Sequence, residues 1–466
     1  MRRSLLTMLA LMPLAQAQDA RERVPVLAQA RRDLQAQLDV ADMLLERGDV
    51  DAAALVYRRA IETFGAALGQ GEAPAKPLPK FEPEDPALRA AEATRAPPVW
   101  GRRGRGGARN LRAGGGSGLT ENAVNLGLEW LAKHQDEDGR WDSDGFMKRD
   151  PDHDRCDGKG HRDFDIGVTG LALLAFLGAG QTDDAGTYPD TVRSGLHFLL
   201  ASQGENGRIA GPDLAGGAYE HAIATTVLCE AYGLTRSPRY RDAAARAVRA
   251  LQRARNPSSA WRYERNGEND TSVTAWCTMA LHVARSAGIE VEPAAIAAGR
   301  EWVEKMTEPN WGQVGYTERG GNSARLDRNV KRFPVDRTQA MTAAGMLVRI
   351  VAGEDPLASE MVKKGADLCV YQPPKWNSDD GSIDMYYWYW GTLALFQKGG
   401  THWRKWNEAM VDTIVKHQHQ KGSGSRTGSW DPLCAWGEDG GRVYSTALLT
   451  MCLEVYYRYD RIFGVK

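Results

Sequence analysis

After its first seventeen residues the sequence has no long hydrophobic run, so nothing beyond that point reads as a membrane-spanning helix. Net charge is nearly absent too. The 59 Lys and Arg against 60 Asp and Glu leave −1, so no whole-molecule field points to nucleic acid or an acidic surface. Cysteine is sparse, at six residues, and none are spaced as in a zinc finger. The stretch "DPDHDRCDGKGHRDFD" (150–165) gathers Asp152, His153, Asp154, Cys156, Asp157, His161 and Asp165. Its Gly is misplaced for an EF-hand loop, so it reads as a solvated acidic loop with no metal or other cofactor expected.

What is present begins at the N-terminus. "MRR" is a basic start, "LLTMLALMPLA" an apolar stretch and "AQA" a cleavage site before Gln18. Residues 1–17 therefore read as a signal peptide, and the protein is expected to be secreted or periplasmic. Residues 18–69, with "LDVADMLLERGDVDAAALVYRRAIETF", resemble a single tetratricopeptide-type helical hairpin. One such unit buries too little to stand alone, so it is expected to dock a protein partner. Residues 70–118 are Pro-rich, then "GRRGRGGARNLRAGGGSG", and read as a disordered linker. Its Arg-Gly clusters could suit RNA, but the export signal argues against a nucleic-acid partner.

From 119 onward one unit recurs. Each has an amphipathic helix, a loop with Gly or Trp, and a second helix that is apolar all round. The first helices start near Asn122, Pro189, Arg239, Pro293, Leu357 and His402; the second near Ile166, Tyr219, Thr271, Arg337, Met385 and Val443. Loops such as "QDEDGRW", "QGENGRI" and "GSGSRTGSW" lie between them. Six hairpins at about fifty-residue spacing mark a repeat architecture. Helices apolar all round must be buried on more than one side, so they form an inner layer. The pattern predicts an all-α fold, a closed α6/α6 toroid over 119–466.

"QDEDGRW" matches the Gln-x-x-x-Gly-x-Trp repeat of the terpenoid cyclase and protein prenyltransferase superfamily. Residues 119–460 also resemble exported bacterial proteins built of squalene-cyclase or prenyltransferase repeats, through "GVTGLALLAFLGAG", "YEHAIATTVLCEAYGLT", "NDTSVTAW", "YYWYWGTLALFQ" and "GRVYSTALLTMCLEVYYRY". The resemblance implies the toroid, and implies that Gln135 and Trp141 brace neighbouring units. It does not bring the chemistry intact. Cyclases of this superfamily use Asp-x-Asp-Asp-Thr-Ala; "ENDTSVTAW" keeps Asp270 and Thr271 but has Glu268 and Asn269 before them. The Asp, Cys and His that hold zinc in prenyltransferases have no counterpart at the family's spacing, and the Cys-Gly-Glu-Gln of thioester domains is absent.

In a toroid the second helices begin at one end of the ring. Asp165, Asp270, Asp336 and Asp384 fall at such starts, where Asp is a favoured N-cap, and Asp336 with Gln339 spells a capping box. Glu220 and His221, adjacent on a buried helix, are costly unless paired, and are acid–base candidates beside Asp270. Arg442 opposes its helix dipole, so it either bridges to an acid or meets an anionic ligand. In "MYYWYW", Tyr386 and Tyr389 share one face while Tyr387 and Trp390 share another. Tyr386, Tyr387, Tyr389, Arg442 and Tyr444 are therefore the candidate ligand-binding residues. A small-molecule, lipid or polymer ligand in an aromatic and acidic cavity is the leading expectation. A terpenoid-cyclase or prenyltransferase-like enzyme and a polysaccharide-processing toroid are the alternatives. Cys229, Cys277, Cys369 and Cys452 sit in apolar helical patterns as buried thiols. Cys156 and Cys434, in the loops of the first and sixth hairpins, are the expected disulfide.

Overall fold

The computed structural model describes residues 115–211, 214–257 and 259–458. The expected signal peptide, tetratricopeptide-like hairpin and nearly all of the expected linker lie outside these residues.

The first described helix begins with a capping box. The Ser117 hydroxyl accepts from Thr120 N, and the Thr120 hydroxyl accepts from Ser117 N at 2.9 Å, starting α1 (Gly118–Lys133). Eleven more long helices follow: α2 (Asp165–Gly178), α3 (Pro189–Ala201), α4 (Leu214–Thr235), α5 (Pro238–Arg253), α6 (Thr271–Ala287), α7 (Pro293–Met306), α8 (Ala340–Val351), α9 (Glu360–Tyr371), α10 (Met385–Lys398), α11 (Gly400–Lys416) and α12 (Gly437–Leu453). A short turn of helix, α13 (Val455–Arg458), ends the described chain. Among the described residues there is no strand, only two isolated bridges in loops.

The even-numbered helices are the inner ring. Each packs on the next, and α12 packs on α2, so the ring closes. Every α2 residue from Gly167 to Gly178 is buried, as an apolar helix enclosed on all sides must be. Odd-numbered helices form the outer layer, and each leans chiefly on the inner helix of the preceding hairpin: α3 on α2, α5 on α4, α7 on α6, α9 on α8 and α11 on α10. By the same offset α1 packs on α12. The first and last hairpins are therefore joined in two layers.

The repeated loop explains this offset. In the first unit the Gln135 amide donates to Gly139 O (2.8 Å) inside its own loop and to Thr191 O (3.0 Å) at the start of the next outer helix. Gln203 does the same to Gly207 O and Ala243 O (3.1 and 3.0 Å), and Gln418 to Gly428 O and Ala123 O (2.9 and 2.8 Å). The last of these closes the ring, since Ala123 belongs to α1. The Trp indoles cap the outer helix behind them: Trp141 Nε1 donates to Leu131 O (2.7 Å), Trp261 to Leu251 O (2.9 Å) and Trp430 to Ile414 O (2.8 Å). Their backbone amides meet a threonine of the inner helix, as Trp141 N meets Thr169 Oγ1 at 2.9 Å. Glycine is required between them. Gly139 has φ +88°, and a Cβ there would stand 2.1 Å from Ser194 O.

Two helix starts differ from the sequence pattern. Val335–Arg337 forms a 3-10 turn, so α8 starts at Ala340, and the Asp336 capping box does not form; Gln339 sits at the N-cap, and its side chain accepts from Thr342 Oγ1 at 2.9 Å and not from a backbone amide. At α12 the regular helix follows a break at Gly441, whose φ is 69°.

Candidate functional site

The inner helices start at one end of the ring, and their first turns and preceding loops bring aromatic hydroxyls together there. Tyr219, on α4, donates to Ser272 Oγ on α6 at 2.9 Å. Ser272 Oγ lies 2.7 Å from Tyr386 Oη on α10. Helices α6 and α10 are separated in the ring by α8, so this bond crosses the interior and marks the mouth. From the loops, Tyr263 and Tyr316 add hydroxyls 2.9 Å apart, and Trp436 meets Tyr386 edge-on at 6.3 Å. Tyr219, Tyr263, Tyr316, Trp436 and Tyr444 are half-buried residues. Below them the bore is closed. Trp276 stacks on Tyr389 at 5.6 Å and meets Trp390 edge-on at 5.0 Å.

Asp270 sits beside this basin. Its Oδ1 accepts from Val273 N at 2.7 Å as the N-cap of α6, and Arg262 Nε approaches its Oδ2 at 3.5 Å. Arg262 in turn lies over the rings of Tyr263 and Tyr316, at 5.3 and 5.7 Å. Burial is the larger influence and raises the Asp270 carboxyl to about 6, against the opposing pull of the cap and of Arg262. Four buried polar atoms here have no hydrogen-bond partner: Asp270 Oδ2 and Arg262 Nε, which face each other as an ion pair at 3.5 Å, and Tyr444 Oη and Trp436 Nε1, which face no such charge. Such atoms are costly unless a water or ligand meets them.

The remaining sequence candidates are placed elsewhere. Glu220 accepts from Gly167 N of α2 (3.3 Å) and from Gly211 N in the loop just before α4 (2.7 Å). His221 Nδ1 accepts from Ile209 N at 3.1 Å, and burial lowers the ring to about 4. The imidazole is therefore neutral, with its Nδ1 taken by a backbone amide. Of the tyrosines on α10, Tyr386 lines the mouth and Tyr389 is part of the plug. Tyr387 faces outward, donating to Cys369 O and Gln372 O at 3.0 and 2.9 Å. Arg442 is occupied by protein: it donates from Nε to Asp157 O (2.9 Å) and from Nη1 to Ser429 Oγ (3.1 Å), and pairs with Asp157 and Asp431. No orphan donor of Arg442 is left for an anionic ligand. Asp384 caps α10 through Tyr387 N (3.0 Å) and pairs with Arg325 at 2.6 Å. Asp165 accepts from Ser143 N at 2.8 Å, and burial raises it to about 6.

The expected Cys156–Cys434 disulfide is not formed; both are free, buried thiols. Cys156 is turned to His134 and Asp150, while Cys434 lies near Asp384 and Arg325, so the two hairpins meet but the sulfurs have different neighbours. Burial pushes both thiols up to about 12. Sequence reasoning missed Arg262, Tyr263 and Tyr316, which come from irregular loops with no periodicity to reveal their direction.

No family model matches this sequence, and no curated protein matches it. Among solved structures the chain is similar to a type II terpene cyclase from Scytonema in complex with geranylgeranyl dihydroxybenzoate. Identity is 12% and the TM-score 0.47, over 73% of this chain and 97% of that one. It is also similar to an inactive variant of an α-1,6-mannanase from Salegentibacter in complex with α-1,6-mannotriose. There the identity is 11% and the TM-score 0.48, over 72% of this chain and 99% of that one.

Proposed function

We propose that this protein is a ligand-binding toroid whose mouth takes a hydroxylated ligand with flat apolar faces, of the sugar class. The observation that carries this is the half-buried tyrosine and tryptophan wall backed by two unpartnered polar atoms, Tyr444 Oη and Trp436 Nε1. Aromatic faces suit the apolar face of a sugar ring, and its hydroxyls would meet these two atoms. An isoprenoid chain would cover the same wall but leave those atoms unmet, at a cost of about 1–3 kcal/mol each. The basic, apolar and small-residue start of the sequence supports export, and the N-terminal hairpin would be the docking arm for a protein partner.

A cyclase is less well supported. Protonating an alkene needs a stronger acid than usual, whereas burial makes Asp270 weaker. A two-carboxylate glycosidase would need a partner for Asp270, yet Glu220 is held by backbone amides and Asp384 by Arg325. The test is tryptophan fluorescence titration with soluble neutral hexose oligosaccharides, and in parallel with geranylgeraniol. Saturable binding of an oligosaccharide is expected, weakened roughly tenfold in Tyr444→Phe by loss of one hydrogen bond. Binding of geranylgeraniol alone would replace this proposal with the isoprenoid one. Silence from both at millimolar concentration would end it.

A further inference from the structure

Away from the mouth, three metal-ligating side chains converge where the ring closes. His134 ends the outer helix α1, Asp150 follows a 3-10 turn (Phe146–Arg149), and Cys156 comes from the loop beyond. His134 Nε2 is 2.8 Å from Asp150 Oδ1 and 3.9 Å from Cys156 Sγ, and the three ligand atoms lie within 4.8 Å of one another. The cluster is dry: His134 is 2% and Cys156 5% exposed, and the Asp150 side chain 4%. Trp130 stacks on the imidazole at 4.0 Å, and Phe146 closes a second side at 5.7 Å.

The hydrogen bonds fix which atoms face inward. His134 Nδ1 lies 2.7 Å from Trp130 O, a carbonyl that can only accept, so Nδ1 carries the ring proton. A neutral imidazole then turns a lone pair toward the carboxylate, two acceptors at 2.8 Å. Something positive must lie between them. A proton on Nε2 would serve, giving an imidazolium–carboxylate pair with the sulfur as a bystander. A metal ion would serve equally and would use all three atoms. The surroundings fit the second case: an imidazole anchored through Nδ1 to a carbonyl is the outer-shell pattern of a histidine ligand. The other carboxylate oxygen is likewise anchored, accepting from Cys156 N at 2.8 Å.

We propose that His134, Asp150 and Cys156 form a binding site for one zinc-type divalent ion, through Nε2, Oδ1 and Sγ. Imidazole and thiolate exclude the hard, all-oxygen preference of calcium and magnesium. Neutral imidazole, carboxylate, thiolate and a dication sum to zero charge, the favourable case for a buried site. With bonds of about 2.1 Å, tetrahedral ligand atoms stand about 3.4 Å apart. The triad therefore needs only small side-chain movements, and the fourth position falls to water. The site would act as a clasp on the closed ring. The loop it holds also carries Asp154, which accepts from Ser425 N at 2.6 Å, and Asp157, which pairs with Arg442 of α12. Trp130 itself donates to Ser425 O at 2.9 Å.

The experiment is metal analysis of the full chain after incubation with zinc and gel filtration, followed by cobalt substitution. Expected are about one equivalent of zinc, a melting temperature several degrees higher than after chelation, and a near-ultraviolet thiolate-to-cobalt charge-transfer band. Cys156→Ala and His134→Gln should each lose the metal at least tenfold, whereas Cys434→Ser should keep it. If the variants do not fold, the cobalt band of the unaltered chain decides. A folded chain that takes up no zinc, a cobalt complex without the thiolate band, or an equivalent retained in both variants would overturn the proposal.

Discussion

At position 270 a buried carboxyl and at position 221 a buried imidazole respond to pH in opposite directions. Burial raises Asp270 from 3.8 to about 6, so its protonated form is favoured in the fold. Its contribution is complete below about 3.8 and is lost as pH rises through about 6. Burial lowers His221 from 6.5 to about 4, so its contribution is complete above 6.5 and is lost as pH falls toward 4. Asp270→Asn should keep the cap yet remove the first slope, so its melting temperature gains on the parent as pH rises from 4 to 7. His221→Asn can still accept from Ile209 N and should gain as pH falls from 6.5 to 4. Melting curves across that range check both, and variants running parallel to the parent would refute them. The sequence marked both residues as unusual. It could not orient them, because a side chain's direction on a helix buried on all sides is set by which neighbour offers a partner.

Among the elements, the repeated loops set how one hairpin leans on the next. Gly139 combines a φ of +88° with a backbone oxygen 2.1 Å from any added Cβ, whereas Gly400, at φ +63°, has nothing within 4 Å. Gly400→Ala should therefore cost only the strain of the left-handed backbone, about 1 kcal/mol. Gly139→Ala should cost at least twice that, because Ser194 O belongs to a helix that cannot yield alone. Urea denaturation of the two variants compares them directly; equal losses would mean that the loop does not bear on α3. The Gln, Gly and Trp of "QDEDGRW" were legible as a repeat before any coordinates. Their targets were not: nothing in the string indicates that Gln135 reaches Thr191, one hairpin further on.

For the whole molecule, closure of the ring rests on the seam between the first and last hairpins. Arg442, at 1% exposure, links α12 to Asp157 from the first loop and to Asp431 from the last, and Gln418 reaches α1 at Ala123 O. Arg442→Met should destabilise by about 1–3 kcal/mol, because the buried guanidinium's bonds to Asp157 O and Ser429 Oγ are lost while the exposed Asp157 and half-buried Asp431 carboxylates can hydrate. Because that loss falls on the seam, amide hydrogen exchange should rise in α1 and α12 before α6 and α7. Uniform acceleration around the ring would show that it opens only as one unit. At the far end Arg458 joins Glu230 of α4 to Glu454 at the end of α12, each at 3.1 Å. Arg458→Met, which would take the guanidinium from two fully buried carboxylates, should destabilise more, by about 3–5 kcal/mol, without changing exchange in α1 first.

The bracing role of Gln and Trp was implied by the family resemblance, whereas the number of hairpins and which helix of each is inner were determined by the sequence itself. These follow from hydrophobic periodicity and from a spacing repeated six times, both properties of the chain read locally. It also carried "MYYWYW", without saying that Tyr386 would meet Ser272 across the bore while Tyr387 turned outward to Cys369 and Gln372. Only the tertiary structure decided that Arg442 would be taken up by Asp157 and Asp431, that Cys156 would face His134 instead of Cys434, and that Asp270 would lie beside tyrosines from two loops. Each of those contacts joins residues far apart in the chain through irregular backbone. Ring closure fixes their distance and direction, and no local pattern encodes either.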